Sequence, residues 1–186
     1  MTGIEGLIAL YGPIAILVGA ALEGETVAMI AGMGAHRGLF ALPMAWGAVL
    51  AGTLIADQGL FTIGRLFRDR PPIQRLRATA RFQRAQRMFE RHPQKFVLLF
   101  RFLYGLRTVS PLLIGTSGFS PARFALLNVV AALLWSGLFV GLGYMFGLGI
   151  EQLLNRVPPF QQWLPYLLIP VAIGLLWKLL VRVRRG

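Results

Sequence analysis

Cysteine is absent from the 186 residues, which excludes a disulfide scaffold, an iron–sulfur cluster, thiol catalysis and thiolate-bound zinc. Histidine is nearly absent: His36 and His92 are too few for a multi-histidine metal site. Charge is scarce, at 14% of residues against about a quarter in soluble domains. No Lys or Arg precedes Arg37, so the N-terminus does not read as a secretory signal, and no cysteine is available for lipidation. What is abundant is apolar: 56% of the chain is apolar and the mean hydropathy is +0.65. That composition excludes disorder and a water-soluble globule, and the length fits one membrane domain.

The net charge of +12 would suggest nucleic acid in a soluble protein, but its distribution argues against it. Ten basic residues fall between Arg65 and Lys95 against Asp69 and Glu90; Lys178, Arg182, Arg184 and Arg185 form a basic tail. Elsewhere the charges cancel. Basic residues confined to two flanking segments are what the positive-inside rule produces, so both segments are expected in the cytoplasm of a bacterial inner-membrane protein, with no nucleic-acid partner.

The apolar stretches differ in kind. Residues 40–64, 120–150 and 163–182 are long enough to span a core of about 30 Å. Residues 13–39 and 94–119 are interrupted by charge and glycine, at Glu23-Gly24-Glu25 and from Arg101 through Gly105 to Arg107. From Pro13 to Glu23 a helix would cover about 16 Å, half a bilayer. Each interrupted stretch therefore reads as a half-helix that enters, breaks near the midplane and turns back, although Thr2–Leu22 could instead form one continuous span. Parity supports the second case. If residues 65–93 and the tail, 183–186, share the cytoplasmic side, the chain between them crosses an even number of times, and 94–119 is the stretch that does not cross. Broken backbone at membrane depth must be buried in protein or line a cavity. The order of elements repeats, broken stretch then spanning helix, as in transporters built from inverted repeats.

Between them, residues 70–92 read as a basic amphipathic helix. Ala78, Phe82, Ala85 and Phe89 form an apolar stripe and Arg77, Arg81, Arg84 and Arg91 a basic one. Such a helix can lie at an anionic membrane surface, or be no more than an exposed cytoplasmic loop.

The run Phe100-Arg101-Phe102-Leu103-Tyr104-Gly105-Leu106-Arg107, followed by Pro111 and Gly115, resembles the signature of DedA proteins, the bacterial branch of the VTT-domain (SNARE-associated Golgi protein) superfamily. Phe124, Asn128 and Trp135 match the helix that follows; Glu23-Gly24-Glu25 resembles the family's acidic first segment, and Asp57 with Gly64-Arg65 the end of the next helix. The two acids stand closer together here than in many members. The resemblance covers residues 13–150. It implies an all-α polytopic membrane protein in which two re-entrant half-helix hairpins face each other in an inverted repeat. It also implies movement of undecaprenyl phosphate or phospholipids across the membrane, with links to the proton motive force.

Intramembrane charges are costly, about 2.5–3.5 kcal/mol each on insertion scales, and mark functional sites when they have partners. Arg101 and Arg107 are the expected phosphate-binding residues, because a guanidinium fork matches phosphate geometry. Glu23, Glu25 and Asp57 are the expected proton-coupling acids, neutralising the arginines when no lipid is bound. Gly105, Pro111, Gly115 and Asn128 are expected to support them, Asn128 through an interhelical hydrogen bond. Ser110, Thr116 and Ser117 read as local backbone partners, and Gly137, Gly141, Gly143 and Gly147 as packing faces. No cofactor, metal or enzymatic role is expected. Gly115-Thr116-Ser117-Gly118 matches an intramembrane serine protease motif, but no histidine follows His92 to serve as its base. A small-ion or drug exchanger using the same acids, and a scaffold acting through the 70–92 arginines, are the rival expectations.

Overall fold

The computed structural model describes residues 3–103 and 105–156, which are helical apart from turns, with no strand among the described residues. The helices are α1 (Gly3–Leu22), α2 (Gly24–His36), α3 (Leu42–Leu66), α4 (Pro71–Arg77), α5 (Ala80–Arg91), α6 (Pro93–Leu99), α7 (Val109–Thr116) and α8 (Pro121–Arg156), with a 3-10 turn at Phe100–Phe102. The expected helix at 163–182 and the tail at 183–186 lie outside the described residues.

Two of these helices are long and apolar enough to cross a membrane, Leu42–Leu66 and Pro121–Gly149. The 25 residues of α3 span about 38 Å at 1.5 Å each. Pro43 and Pro121 fall in the first turns, where a missing N–H breaks no intrahelical bond. Only 33% of either span is buried in the protein. Ile55, Ile63 and Leu66 on α3 and Leu126, Leu134 and Met145 on α8 point outward, an apolar surface suited to lipid and too large for water. The two helices are antiparallel. The Trp46 indole N–H donates to Ser136 Oγ at 2.8 Å, and Phe61 stacks on Phe124 with ring centroids 4.3 Å apart, so positions rise along α3 as they fall along α8.

The first interrupted stretch breaks at Glu23, as expected, but does not begin at Pro13. Helix α1 starts ten residues earlier, at Gly3, and carries Pro13 inside it. Its 20 residues cover about 30 Å, longer than a half-helix and close to the alternative of one continuous helix over Thr2–Leu22. Proline inside such a helix is tolerated where neighbouring helices re-satisfy the freed backbone, and α1 packs along α3. The second stretch follows the expectation more closely. Helices α6 and α7 have 7 and 8 residues, about 10–12 Å each, and neither can span. They are separated by the 3-10 turn and by Gly105, whose φ of +76° lies in the left-handed region that favours glycine.

The basic segment is two helices. Ala78 caps the end of α4 and Thr79 caps the start of α5, its Oγ1 accepting from the Phe82 N–H at 3.4 Å. The apolar stripe of α5 is not offered to lipid: Phe82, Ala85 and Phe89 are buried, and Phe89 meets Phe96 and Phe119 edge-on. Ala78 stays exposed at the end of α4.

Close packing is set by glycine against carbonyl, and the pattern is crossed. Gly64 of α3 sits against the Leu112 carbonyl of α7, while Gly115 of α7 sits against the Phe61 carbonyl of α3. Likewise Gly32 of α2 meets the Val140 carbonyl of α8, and Gly143 of α8 meets the Met29 carbonyl of α2. Of the expected packing faces on α8, Gly143 and Gly147 are used, Gly147 against His36. Gly141 faces open space, and Gly137 comes no nearer than 4.0 Å to Trp46, so this pair corrects the expectation.

A Cβ at Gly64 would overlap a backbone carbonyl, whereas one at Gly141 meets nothing within 4 Å. Gly64→Ala is therefore expected to lower the stability of the detergent-solubilised protein by about 1–3 kcal/mol, the usual cost of overpacking, and Gly141→Ala to leave it unchanged. Thermal unfolding of the two variants side by side tests this.

Candidate functional site

The inward face of α3 runs Val49, Thr53, Asp57, Phe61 at four-residue spacing, all buried. On α8 it runs Phe124, Asn128, Trp135, also buried. Polar groups thus interrupt two apolar stripes deep in the protein. They face Arg101, which the 3-10 turn carries inward until it is 1% exposed. One guanidinium nitrogen, Nη2, forms an ion pair with Asp57 Oδ2 and donates to Asn128 Oδ1 at 3.1 Å. Among the described residues, Arg101 Nε and Nη1 have no hydrogen-bond acceptor. This pair ties the break of the second stretch to both spanning helices, and Asn128 makes the expected interhelical bond.

Arg107 lies across Gly105 from Arg101 in sequence and faces a different set of groups. Its Nη2 donates to the Ala20 carbonyl at 3.3 Å at the end of α1. Its guanidinium carbon lies 4.7 Å from the Trp135 ring centroid, a cation–π contact. Gly24, the first residue of α2, leaves room for it: a Cβ there would overlap the guanidinium. The break of the first stretch thus receives the arginine of the second.

At that break Glu23 is the N-cap of α2 and Glu25 lies in its first turn. Thr26 Oγ1 donates to Glu23 Oε1 at 3.0 Å, and the Glu23 N–H bonds to the Gly19 carbonyl at 2.7 Å. Carboxylates here are favoured by the positive end of the helix dipole. A cavity of about 330 Å³ opens between the two breaks, lined among others by Glu23, Glu25, Asp57, Gly105, Arg107 and Arg81 of α5.

The structure therefore brings four expected residues, Glu23, Glu25, Asp57 and Arg107, to one wall, with Gly105 beside them. It places Arg101 behind Asp57, off that wall. Pro111 and Gly115 are buried in α7, where Gly115 serves its packing on α3. Ser110, Thr116 and Ser117 donate to backbone carbonyls three or four residues back, as expected. Two residues escaped sequence reasoning. Arg81 belongs to the basic stripe, but which flank of α5 faces inward depends on how the helix docks. Trp135 follows Asn128 by seven residues, two helical turns along the same face of α8, a spacing that could have paired it with the arginines.

A family model for the VTT domain matches residues 13–145, a range that holds every residue of this site. The chain belongs to the VTT-domain family. The DedA resemblance is shown as well by curated relatives. The inner membrane protein YohD of Escherichia coli K12 is 36% identical over 97% of this chain and 93% of its own length. Protein DedA of the same strain is 30% identical over 67% of this chain and 55% of its own. The inner membrane protein YqjA is 40% identical over 35% of this chain and 30% of its own. No solved structure matches. The chain is a DedA-type VTT protein, with an all-helical membrane fold.

Removing one partner of a buried ion pair strands the other charge, at about 3–5 kcal/mol. Asp57→Asn is expected to destabilise this VTT protein by that order, and Asp57→Asn with Arg101→Gln to recover a large part of it. Denaturation of the single and double variants in detergent measures both.

Proposed function

We propose that this protein moves a phosphorylated lipid, undecaprenyl phosphate or a phospholipid, across the bacterial inner membrane and that protons drive or gate the movement. The observation that carries the reading is the cavity between the two breaks, where Arg107 and Arg81 meet Glu23, Glu25 and Asp57. A guanidinium suits a phosphate headgroup, and Arg107 is held by a weak carbonyl contact and a ring face, both of which a phosphate can displace.

In this reading α6 and α7 form a re-entrant hairpin, supported by their shortness. Helix α2, with 13 residues, is also too short to span and returns the first stretch from its break. The crossed glycine packing supports an inverted repeat, since each half uses the same device against the other. The basic 65–95 segment and C-terminus lie in the cytoplasm.

Counting Arg101 behind the wall, three guanidiniums face three carboxylates, and the resting site is close to neutral. A proton taken up by Glu23, Glu25 or Asp57 leaves the arginines in excess and favours the anion; its loss expels the anion. Asp57 has a further effect: when protonated it no longer compensates Arg101, whose Nε and Nη1 carry no acceptor among the described residues. The protein binds and releases and performs no bond chemistry in this scheme. One observation favours a second reading. The wall itself holds three carboxylates and two guanidiniums, a balance that suits a proton-dependent cation or drug exchanger.

Proteoliposomes with labelled undecaprenyl phosphate and a labelled phospholipid, with and without a pH gradient, separate the two. Arg107→Ala is expected to slow lipid movement at least about tenfold, the factor that 1.4 kcal/mol supplies. Glu23→Gln is expected to keep movement without a gradient and lose its acceleration by one. Lipid movement that is indifferent to Arg107→Ala, or absent from folded protein that still carries proton flux through the acids, would replace the flippase by the exchanger.

A further inference from the structure

A second cavity, of about 410 Å³, lies between α5 and the break of the second stretch. Its wall holds Arg81, Arg84 and Met88 of α5 on one side and Phe102, Leu103 and Leu106 of the broken stretch on the other. Arg81 and Gly105 line this cavity and also the one that holds Arg107 and the acids. Since the apolar stripe of α5 is spent on the protein core, the helix does not lie with that face in the bilayer. Docking sets the flank carrying Arg81 and Arg84 beside the broken stretch, with both side chains exposed.

The lining has the chemistry of an amphiphile. Two guanidiniums three residues apart on a helix present adjacent forks, and among the described residues no carboxylate lines this cavity to compete with an anion. Phe102 across the cavity and Met88 one turn along α5 are exposed at 45% and 37% and offer apolar surface for a hydrocarbon chain. The shared wall is thin at Gly105, where a side chain would meet nothing within 4 Å. We infer that Arg81 and Arg84 form a second, outer binding site for a phosphate-headed lipid, with its chain along Phe102 and Met88, and that Arg81 passes the headgroup past Gly105 towards Arg107. The binding stands on the outer cavity alone; the passage to Arg107 rests on the transport reading above.

The test is photolabelling of the purified full-length protein in nanodiscs by an alkyl phosphate carrying a diazirine on its chain, followed by peptide mapping. Label is expected on α5 around Met88 and on Phe102–Leu106. Excess dodecyl phosphate should compete, while inorganic phosphate and dodecanol should compete at least about tenfold less well, since each lacks half of the recognition. Arg81→Gln with Arg84→Gln should lower this labelling at least about tenfold, and Arg107→Ala should leave it intact. That contrast separates the outer site from the transport reading, which fails in the opposite pattern. On the wild-type protein, raising salt from about 50 to about 500 mM should weaken labelling severalfold through screening of the two guanidiniums. Label that survives the double variant and the salt, or that dodecanol displaces as well as dodecyl phosphate, overturns the site as an anion site. Inorganic phosphate competing equally would make it a site for free phosphate and overturn the lipid. A wild-type protein labelled only on α2 or α7 would remove the outer site altogether.

Discussion

A guanidinium buried among membrane helices must be compensated, and the fold is organised around meeting that demand for Arg101. The side chain cannot reach water, since it is 1% exposed. Its compensation comes from Asp57 of α3 and Asn128 of α8. The 3-10 turn that carries Arg101 is therefore fixed to both spanning helices at once. With that anchor in place, Gly105 reverses the chain and Arg107 reaches the opposite break, where Ala20, Gly24 and Trp135 receive it. Buried ion pairs contribute little net stability, because desolvation offsets their attraction. What this one contributes is position.

The same geometry divides the work of two arginines that look equivalent in the sequence. Arg101 is locked behind a carboxylate, while Arg107 rests on a carbonyl and a ring face at the edge of the cavity. A tight charged pair beside a loosely held charge is an economical way to keep one group fixed and another exchangeable.

Much of this was legible in the sequence because membrane chemistry leaves few options. The spans 40–64 and 120–150 anticipate α3 and the membrane part of α8 closely, since about 20 apolar residues must appear wherever a helix crosses. The breaks at Glu23 and around Gly105 were visible because charge and glycine do not belong in an uninterrupted span. The start of α1 stayed open between Pro13 and Thr2, because proline normally opens a helix and only packing against neighbours decides that Pro13 is carried inside one. The DedA signature marked Arg101 and Arg107 as a pair, and nothing in their spacing said that one would turn inward and the other towards the cavity. The amphipathic stripe of α5 was legible as a stripe, yet whether lipid or protein covers it depends on how the chain folds back to bring Phe96 and Phe119 onto it.

The crossed glycine contacts have a mechanical meaning. Helix α2 is fitted to α8 and α7 to α3 by glycine notches that each receive the other helix's carbonyl. Such a contact is a mesh of backbones with no side chain between them to yield, so a tilt of either long helix would press directly on the short helix seated in its notch.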